Sequence, residues 1–516
     1  MCRPFHVSSS QTLGKNWIIA SGLALCVTSC SSNPPTSLSS SQAPVTLTIG
    51  FPYASGEDQS RGIGQATRLA SLEGLTTQNS NGRPVPRLAE SWTESADGLT
   101  CTIRLRPSAL FHDGTAVDSS AVKASLERFL GSTGSGSSPG LQDISSIEAA
   151  DKFVLTIHLK QRSTLLLDDL DTPITKLDAK GSLIGTGPYV IASTSANEVV
   201  MTAFPQYYRG PSAVDRLVWR VYPTVRTAWA ATMRGEADFL YDVGPETLEF
   251  LQSESSVALY PFLRAYVFGV VFNAKRPVFK DPELRRALNY AVNRASIVKQ
   301  AFRSHAVAAS TPAWPLHWAY DASIPGYAFD PERATASLER ALKGKSGANA
   351  PRLAFVCLIP ENFQLWERLA LMVQRNLAEI GVDMALESMP LPQFNQRIAE
   401  GNFDAVLMEM VSGTSVSRPF FFWRSSGLAN FSGYNNPSLD TALEDIRRAD
   451  GDDHYREAFH RFQQAALDNP PAIFLAWGEI TRAVSRRFDV VKAPGGDIRM
   501  TISDWRLAAT PARAVN

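Results

Sequence analysis

The chain has 516 residues, 44% of them hydrophobic and 19% charged, and its 50 Lys and Arg balance 50 Asp and Glu. That length exceeds what one hydrophobic core serves and predicts two or more domains, and the composition is that of a folded chain rather than a disordered one. A formal net charge of zero argues against bulk nucleic-acid binding, which needs a basic face over the phosphates, but it leaves room for a local charged pocket.

At the N-terminus, Arg3 and Lys15 precede an apolar run from Trp17 to Val27, interrupted by Ser21 and Gly22. The run is too short to span a bilayer and fits the apolar core of a signal peptide. It ends in Val27-Thr28-Ser29-Cys30, an aliphatic residue, two small residues and Cys, which resembles the lipobox of bacterial lipoproteins. That resemblance implies a lipidated Cys30 as first residue of the mature chain; a plain signal peptide with a chance Cys is the alternative. Residues 1–29 are expected to be a signal peptide, and 30–44 the lipidated Cys with a flexible Ser/Pro-rich tether. No other stretch approaches the about 18 apolar residues of a membrane helix. Cys101 and Cys357 are expected to be unpaired buried thiols, and no CxxC or zinc-like spacing is present, so no metal or cofactor is expected.

Val45 to Ile49 alternates and reads as a strand, as do Leu99 to Leu105 and Val154 to Leu159. Between the last two, Asp118 caps a helix reaching Leu130, with Val122, Leu126, Phe129 and Leu130 at helical spacing. Gly131 to Gly140 reads as a surface Gly/Ser loop, and Leu217 to Val221 as a short strand. From Ala265 the texture changes. Tyr266 to Phe272 is a nearly continuous apolar run and reads as a buried strand. Asp281-Pro282-Glu283 starts a helix. Leu353 to Leu358 is a strand, Phe363 to Ile380 an amphipathic helix stopped by Gly381, and Ala405 to Met408 a strand. Leu439 to Arg447 and His454 to Leu467 are helices, and Ile473 to Trp477 is a last strand. Strand and helix alternate, so an α/β layered fold is expected.

Motifs for chemistry fail on context. Gly344-Lys345-Ser346 has Glu339 where a phosphate loop needs its first Gly. Gly136-Ser137-Ser138-Pro139-Gly140 fits GxSxG but follows a helix inside a loop, whereas a nucleophile elbow needs a strand before it. His112 reads as a structural hydrogen-bonding residue near the Asp113-Gly114 turn. No enzymatic activity is expected.

Several segments in order carry a resemblance: Leu88-Ala89-Glu90-Ser91-Trp92, Asp97-Gly98, Leu105-Arg106, Phe111-His112-Asp113-Gly114-Thr115, Gly185-Thr186-Gly187-Pro188-Tyr189, Tyr207-Tyr208-Arg209-Gly210, Phe272-Asn273, Arg286-Ala287-Leu288, and Gly433-Tyr434-Asn435-Asn436-Pro437. Together they resemble family 5 of the bacterial extracellular solute-binding proteins, the dipeptide-, oligopeptide- and nickel-binding type that serves ABC transporters. The resemblance implies a two-lobed periplasmic-binding-protein fold with an extra subdomain, mixed sheets flanked by helices, and a ligand cleft between the lobes. Lobe 1 would take 45–264 plus 476–516, with the extra subdomain at 76–182, and lobe 2 would take 265–475. The crossings near Tyr266 and Leu475 would be the hinge. The implied partners are a peptide or other small solute, the ABC permease and a membrane reached through the lipid, with the protein a monomer on the extracytoplasmic face and no nucleic acid bound.

The solute is less defined. In peptide-binding members an Asp in the loop after the strand matching Ala405–Met408 pairs with the peptide amine. Here the loop Val411 to Pro419 has no acid, and Arg418 stands before its Pro. Either another acid such as Glu57 takes the amine, or the solute is a non-peptide, anionic one held by Arg418. The residues expected at the ligand are Tyr53, Glu57, Tyr266, Ser412, Thr414, Arg418 and Trp423. A sensor or interaction lipoprotein of the same fold is the reading from another class.

Overall fold

The computed structural model describes residues 43–52, 59–132, 136–343, 353–492 and 495–509. The signal segment, Cys30 and most of the tether lie outside the described residues, as do Tyr53 and Glu57. The backbone of the fold is one mixed sheet. Its strands run in the order Tyr189–Thr194, Glu198–Ala203, Arg216–Val221, Thr46–Phe51, Phe239–Val243, Ala472–Ser485, Val257–Phe272, Ala405–Val411, Ala354–Pro360 and Asp383–Met389. Thr46–Phe51 pairs in parallel with both its neighbours, and so does Ala354–Pro360. Two long antiparallel strands, Val257–Phe272 and Ala472–Ser485, join the two ends of this sheet. The result is the two-lobed α/β architecture expected from the sequence.

The long strands are where sequence periodicity fell short. The expected strands began at Tyr266 and ended at Trp477, whereas each runs eight or nine residues further. The reason is visible in the burial. Val267 to Phe272 is buried throughout, but the first part of that strand, Val257–Tyr266, is half-exposed and contains Pro261, paired opposite Thr481. A half-exposed stretch with a Pro does not announce itself as a central strand. Its last part, Phe262 and Arg264 to Tyr266, lines a cavity.

A separate four-stranded antiparallel sheet, in the order Ala89–Glu94, Thr100–Leu105, Val154–Leu159, Ile144–Asp151, is formed by the chain between main-sheet strands Thr46–Phe51 and Tyr189–Thr194. Cys101 faces Ile157 and Ile103 faces Leu155 across the ladder, all buried. Helix Ser119–Leu130 covers this face with Val122 and Leu126, and Asp118 Oδ1 accepts from the Ala121 N–H at 2.9 Å. Each such aliphatic side chain contributes about 1.5–3 kcal/mol by leaving water. Among the described residues, Cys101 and Cys357 are free and buried.

The Gly/Ser segment expected as a loop up to Gly140 ends earlier, in a short helix, Pro139–Gln142. Gly140 packs against helix Leu165–Asp169, and a Cβ there would lie 2.2 Å from the Leu165 carbonyl oxygen. Its glycine serves close backbone approach rather than mobility. His112 Nε2 sits 2.9 Å from the Gly187 carbonyl oxygen, the structural role expected.

Candidate functional site

The antiparallel ladder between the two long strands is interrupted between Leu263 and Val267. A cavity of about 630 Å³ opens at that interruption. One wall comes from helix Gln59–Ser71 and the end of strand Phe239–Val243, and the other from Phe302, His305 and the start of helix Gln364–Glu379. Strand ends at the junction of two lobes are a common place for a ligand.

The floor is charged, and most of the charges are paired. Arg264 Nη1 lies 3.0 and 3.2 Å from the two Glu409 oxygens, and its guanidinium stacks 3.7 Å from the Tyr266 ring centroid. Glu409 projects from strand Ala405–Val411 with its side chain 16% exposed. Burial raises its carboxyl pKa, Arg264 opposes that rise, and the nearby Asp242 charge adds to it. Arg482 grips Asp497 through Nη2 to Oδ2 at 2.7 Å and Nε to Oδ1 at 3.2 Å, with both side chains under 10% exposed. Burial disfavours the Asp497 charge, but Arg482 and Arg499 outweigh it and hold the carboxyl below its usual range. Arg499 Nη1 donates to the Tyr241 hydroxyl at 2.6 Å. His305 Nδ1 lies 2.7 Å from Glu479 Oε1. The lining therefore carries four carboxylates (Asp242, Glu409, Glu479 and Asp497) against three guanidinium groups. Paired charges of both signs in a half-enclosed space suit a zwitterion, whose ammonium and carboxylate can each exchange with one member of a pair.

The far end of the cavity is aromatic. Phe268 and Phe302 meet edge-to-face at 5.5 Å between centroids, Trp366 stands perpendicular to Phe268 at 6.2 Å, and Phe363 tilts against Trp366 at 5.1 Å.

Of the residues expected from sequence, Tyr266 lines this cavity. The loop after Ala405–Val411 turns elsewhere, onto strand Thr76–Gln78 and helix Leu165–Asp169. Ser412 is buried with Oγ donating to the Pro312 carbonyl at 2.5 Å, and Thr414 Oγ1 donates to Gln78 Oε1. Ser415 Oγ donates to Asp168 Oδ2 at 2.6 Å. Arg418 is half-buried within electrostatic reach of Asp171. Trp423 is buried between Tyr434 and Phe474. The space beside this loop, next to Trp314 and His317, measures about 10 Å³, enough for one water at most. Tyr53 and Glu57 belong to the residues not described.

Sequence reading passed over Glu409, Arg264, Arg482 and Trp366. A signal for the first existed: Glu409 is the sole charge in Ala-Val-Leu-Met-Glu-Met-Val, and an isolated acid in an apolar strand is a site candidate.

The model of the bacterial extracellular solute-binding proteins, family 5 middle region, matches residues 83–432. The glutathione-binding protein GsiB of Pectobacterium atrosepticum is 26% identical over 520 residues, covering 93% of this chain and 96% of that protein. Among solved structures, NikZ from Campylobacter jejuni in complex with Ni(L-His) aligns with a TM-score of 0.77 at 24% identity, over 89% of this chain and 99% of that one. The oligopeptide-binding protein AppA from Bacillus subtilis, in complex with a nonapeptide, aligns with a TM-score of 0.74 at 20% identity, over 90% and 100% of the two chains. With the family match extending over most of its length, the chain belongs to family 5 of the bacterial extracellular solute-binding proteins.

Proposed function

We infer that this solute-binding protein captures a zwitterionic, peptide-like solute in the 630 Å³ cavity and presents it to an ABC permease. The observation that carries the reading is the Arg264–Glu409 pair, a buried carboxylate held beside a guanidinium at the strand crossing. Burial raises the free energy of the Glu409 charge, and a ligand ammonium beside it would recover that cost. Glu409 supplies the acid that the loop Val411 to Pro419 lacks. The glutathione-binding and peptide-binding relatives agree in ligand class. The role is capture and release, without catalysis.

The cavity residues from both long strands support lobe boundaries near Arg264 and Leu475, with the two crossings as hinge and solute contacts favouring the closed arrangement. The extra subdomain would take 76–182. The Val27-Thr28-Ser29-Cys30 sequence supports attachment of a monomeric receptor to the outer face of a membrane through a lipid on Cys30.

Thermal-shift and calorimetric titration of a chain starting after Cys30 tests the reading. Peptides with a free amine should raise the melting temperature, since ligand at a hundred times its Kd adds about 2.7 kcal/mol. N-acetylated peptides should fail to do so. Equal binding of both, or response only to organic acids or sugars, rules the reading out and favours the anionic-solute alternative.

A further inference from the structure

We propose that the aromatic end of the cavity is a side-chain subsite that selects a solute carrying an apolar, preferably aromatic, side chain close to its amine. This rests on the zwitterion reading above and adds what distinguishes one peptide-like solute from another.

Three observations carry it. The first is shape: Phe268 and Phe302 form a buried floor, each 4% exposed, while Phe363 and Trp366 stand half-buried beside it. The rings meet at 5.1–6.2 Å in tilted and edge-to-face arrangements, and the half-buried Phe363 and Trp366 carry the ring surface that another aromatic group can reach. The second is Gly478. A Cβ on this residue would sit 3.4 Å from Phe302 and 3.5 Å from Phe268, in ordinary contact with both rings. A side chain extending beyond Cβ there would press on both rings of the floor. The third is the backbone. Among the described residues, the non-glycine residues in the left-handed region are Arg303, Ser304 and Asn362. The first two directly follow Phe302, and Asn362 directly precedes Phe363. Left-handed backbone at a non-glycine residue carries strain that persists where surrounding structure enforces it, commonly at ligand sites. Both turns that present the aromatic rings are of this kind.

The chemistry follows from adjacency. Phe268 stands directly opposite Glu409 in the ladder, so the two side chains share a face and an ammonium at Glu409 places a neighbouring side chain toward the rings. A charged or short polar side chain there would lose water without a partner.

The test is calorimetric titration of the protein with four tripeptides: trialanine, and trialanine with phenylalanine at its first, second or third position. The peptide with phenylalanine at its first or second position should bind tenfold or more tightly than trialanine, and a gain confined to the third position would overturn the placement beside the amine. Trp366→Ala should reduce that selectivity ratio at least fivefold, and Gly478→Val should do the same by filling the space from below. Unfolding temperatures of the unliganded variants check that both still fold, and the two substitutions act from opposite walls. If all four peptides bind with equal affinity, or the ratio survives both substitutions, the subsite is overturned while the zwitterion reading stands. If no peptide binds the unsubstituted protein, both fall together.

Discussion

Arg264 and Glu409 come from neighbouring antiparallel strands, and their charged groups meet at 3.0 Å over the gap where the long ladder loses its register. The pair is preformed, so a zwitterionic solute meets both counter-charges already oriented. Glu409→Gln keeps the shape and removes the charge. It should weaken binding of a free-amine peptide at least tenfold, about 1.4 kcal/mol, measured by calorimetry. The raised carboxyl pKa sets a pH signature: acidification protonates Glu409 earlier than an ordinary glutamate, so amine affinity should start to fall above the usual carboxylate range. In Glu409→Gln that component of the pH dependence should be absent.

Asp168, buried on helix Leu165–Asp169, has its carboxyl pushed up to about 7 by burial, against the pull of the Ser415 hydroxyl, with the Asp171 charge raising it further. Burial, against a backbone hydrogen bond from Gly140, also puts its neighbour Asp169 well above the ordinary range. A carboxyl whose folded pKa is raised stabilises the fold when protonated. That stability is fully present below the unfolded value of about 4 and is lost as pH rises through about 7. Asp168→Asn should therefore stabilise at pH 8, by about 1–3 kcal/mol, with the gain shrinking as pH falls below about 7 and vanishing below about pH 4. Chemical denaturation at the two pH values measures it; an equal effect at both would contradict the assignment.

Arg482 and Asp497 form a two-point ion pair with almost no exposure. Removing one partner strands the other charge in the interior. Asp497→Ala should cost about 3–5 kcal/mol, read as a drop in denaturation midpoint. Here the folded carboxyl is lowered, so its contribution is present above the unfolded pKa and lost as pH falls through the folded one.

Gly185 lies where the chain passes closely over the end of helix Gln59–Ser71. A Cβ would sit 2.2 Å from the Ser71 carbonyl oxygen, a rigid backbone atom. Gly185→Ala should destabilise by about 1–3 kcal/mol or more, while Gly181→Ala, with nothing within 4 Å but a positive φ, tests the purely conformational share.

The sequence made the fold legible where burial is one-sided or complete. Val154–Leu159 alternates cleanly and its strand has the expected ends; Asp118 caps the expected helix. The site was harder to read because its residues obey neither rule. Val257–Tyr266 is apolar but only half-buried, with its last part at a cavity and Pro261 inside it, so it carries no clean period. The expected strand Ala405–Met408 stops one residue short of Glu409, whereas the strand runs on to Val411. The loop beyond it, rich in Ser and Gly, serves the contact with Asp168 and Gln78. Trp366 read as one more apolar position of an amphipathic helix, and only the meeting of that helix with the long strands gives it a second face.

The gap in the ladder at 264–266 also bears on how the receptor would report its own occupancy. The stretch where pairing with Ala472–Ser485 lapses holds Arg264 and Tyr266, two of the groups that would touch the solute. Sensing and bending would then happen in the same few residues. Filling the cavity would alter the joint directly, with no relay of side chains across the protein, and substitutions remote from that joint would leave the coupling between occupancy and posture largely intact.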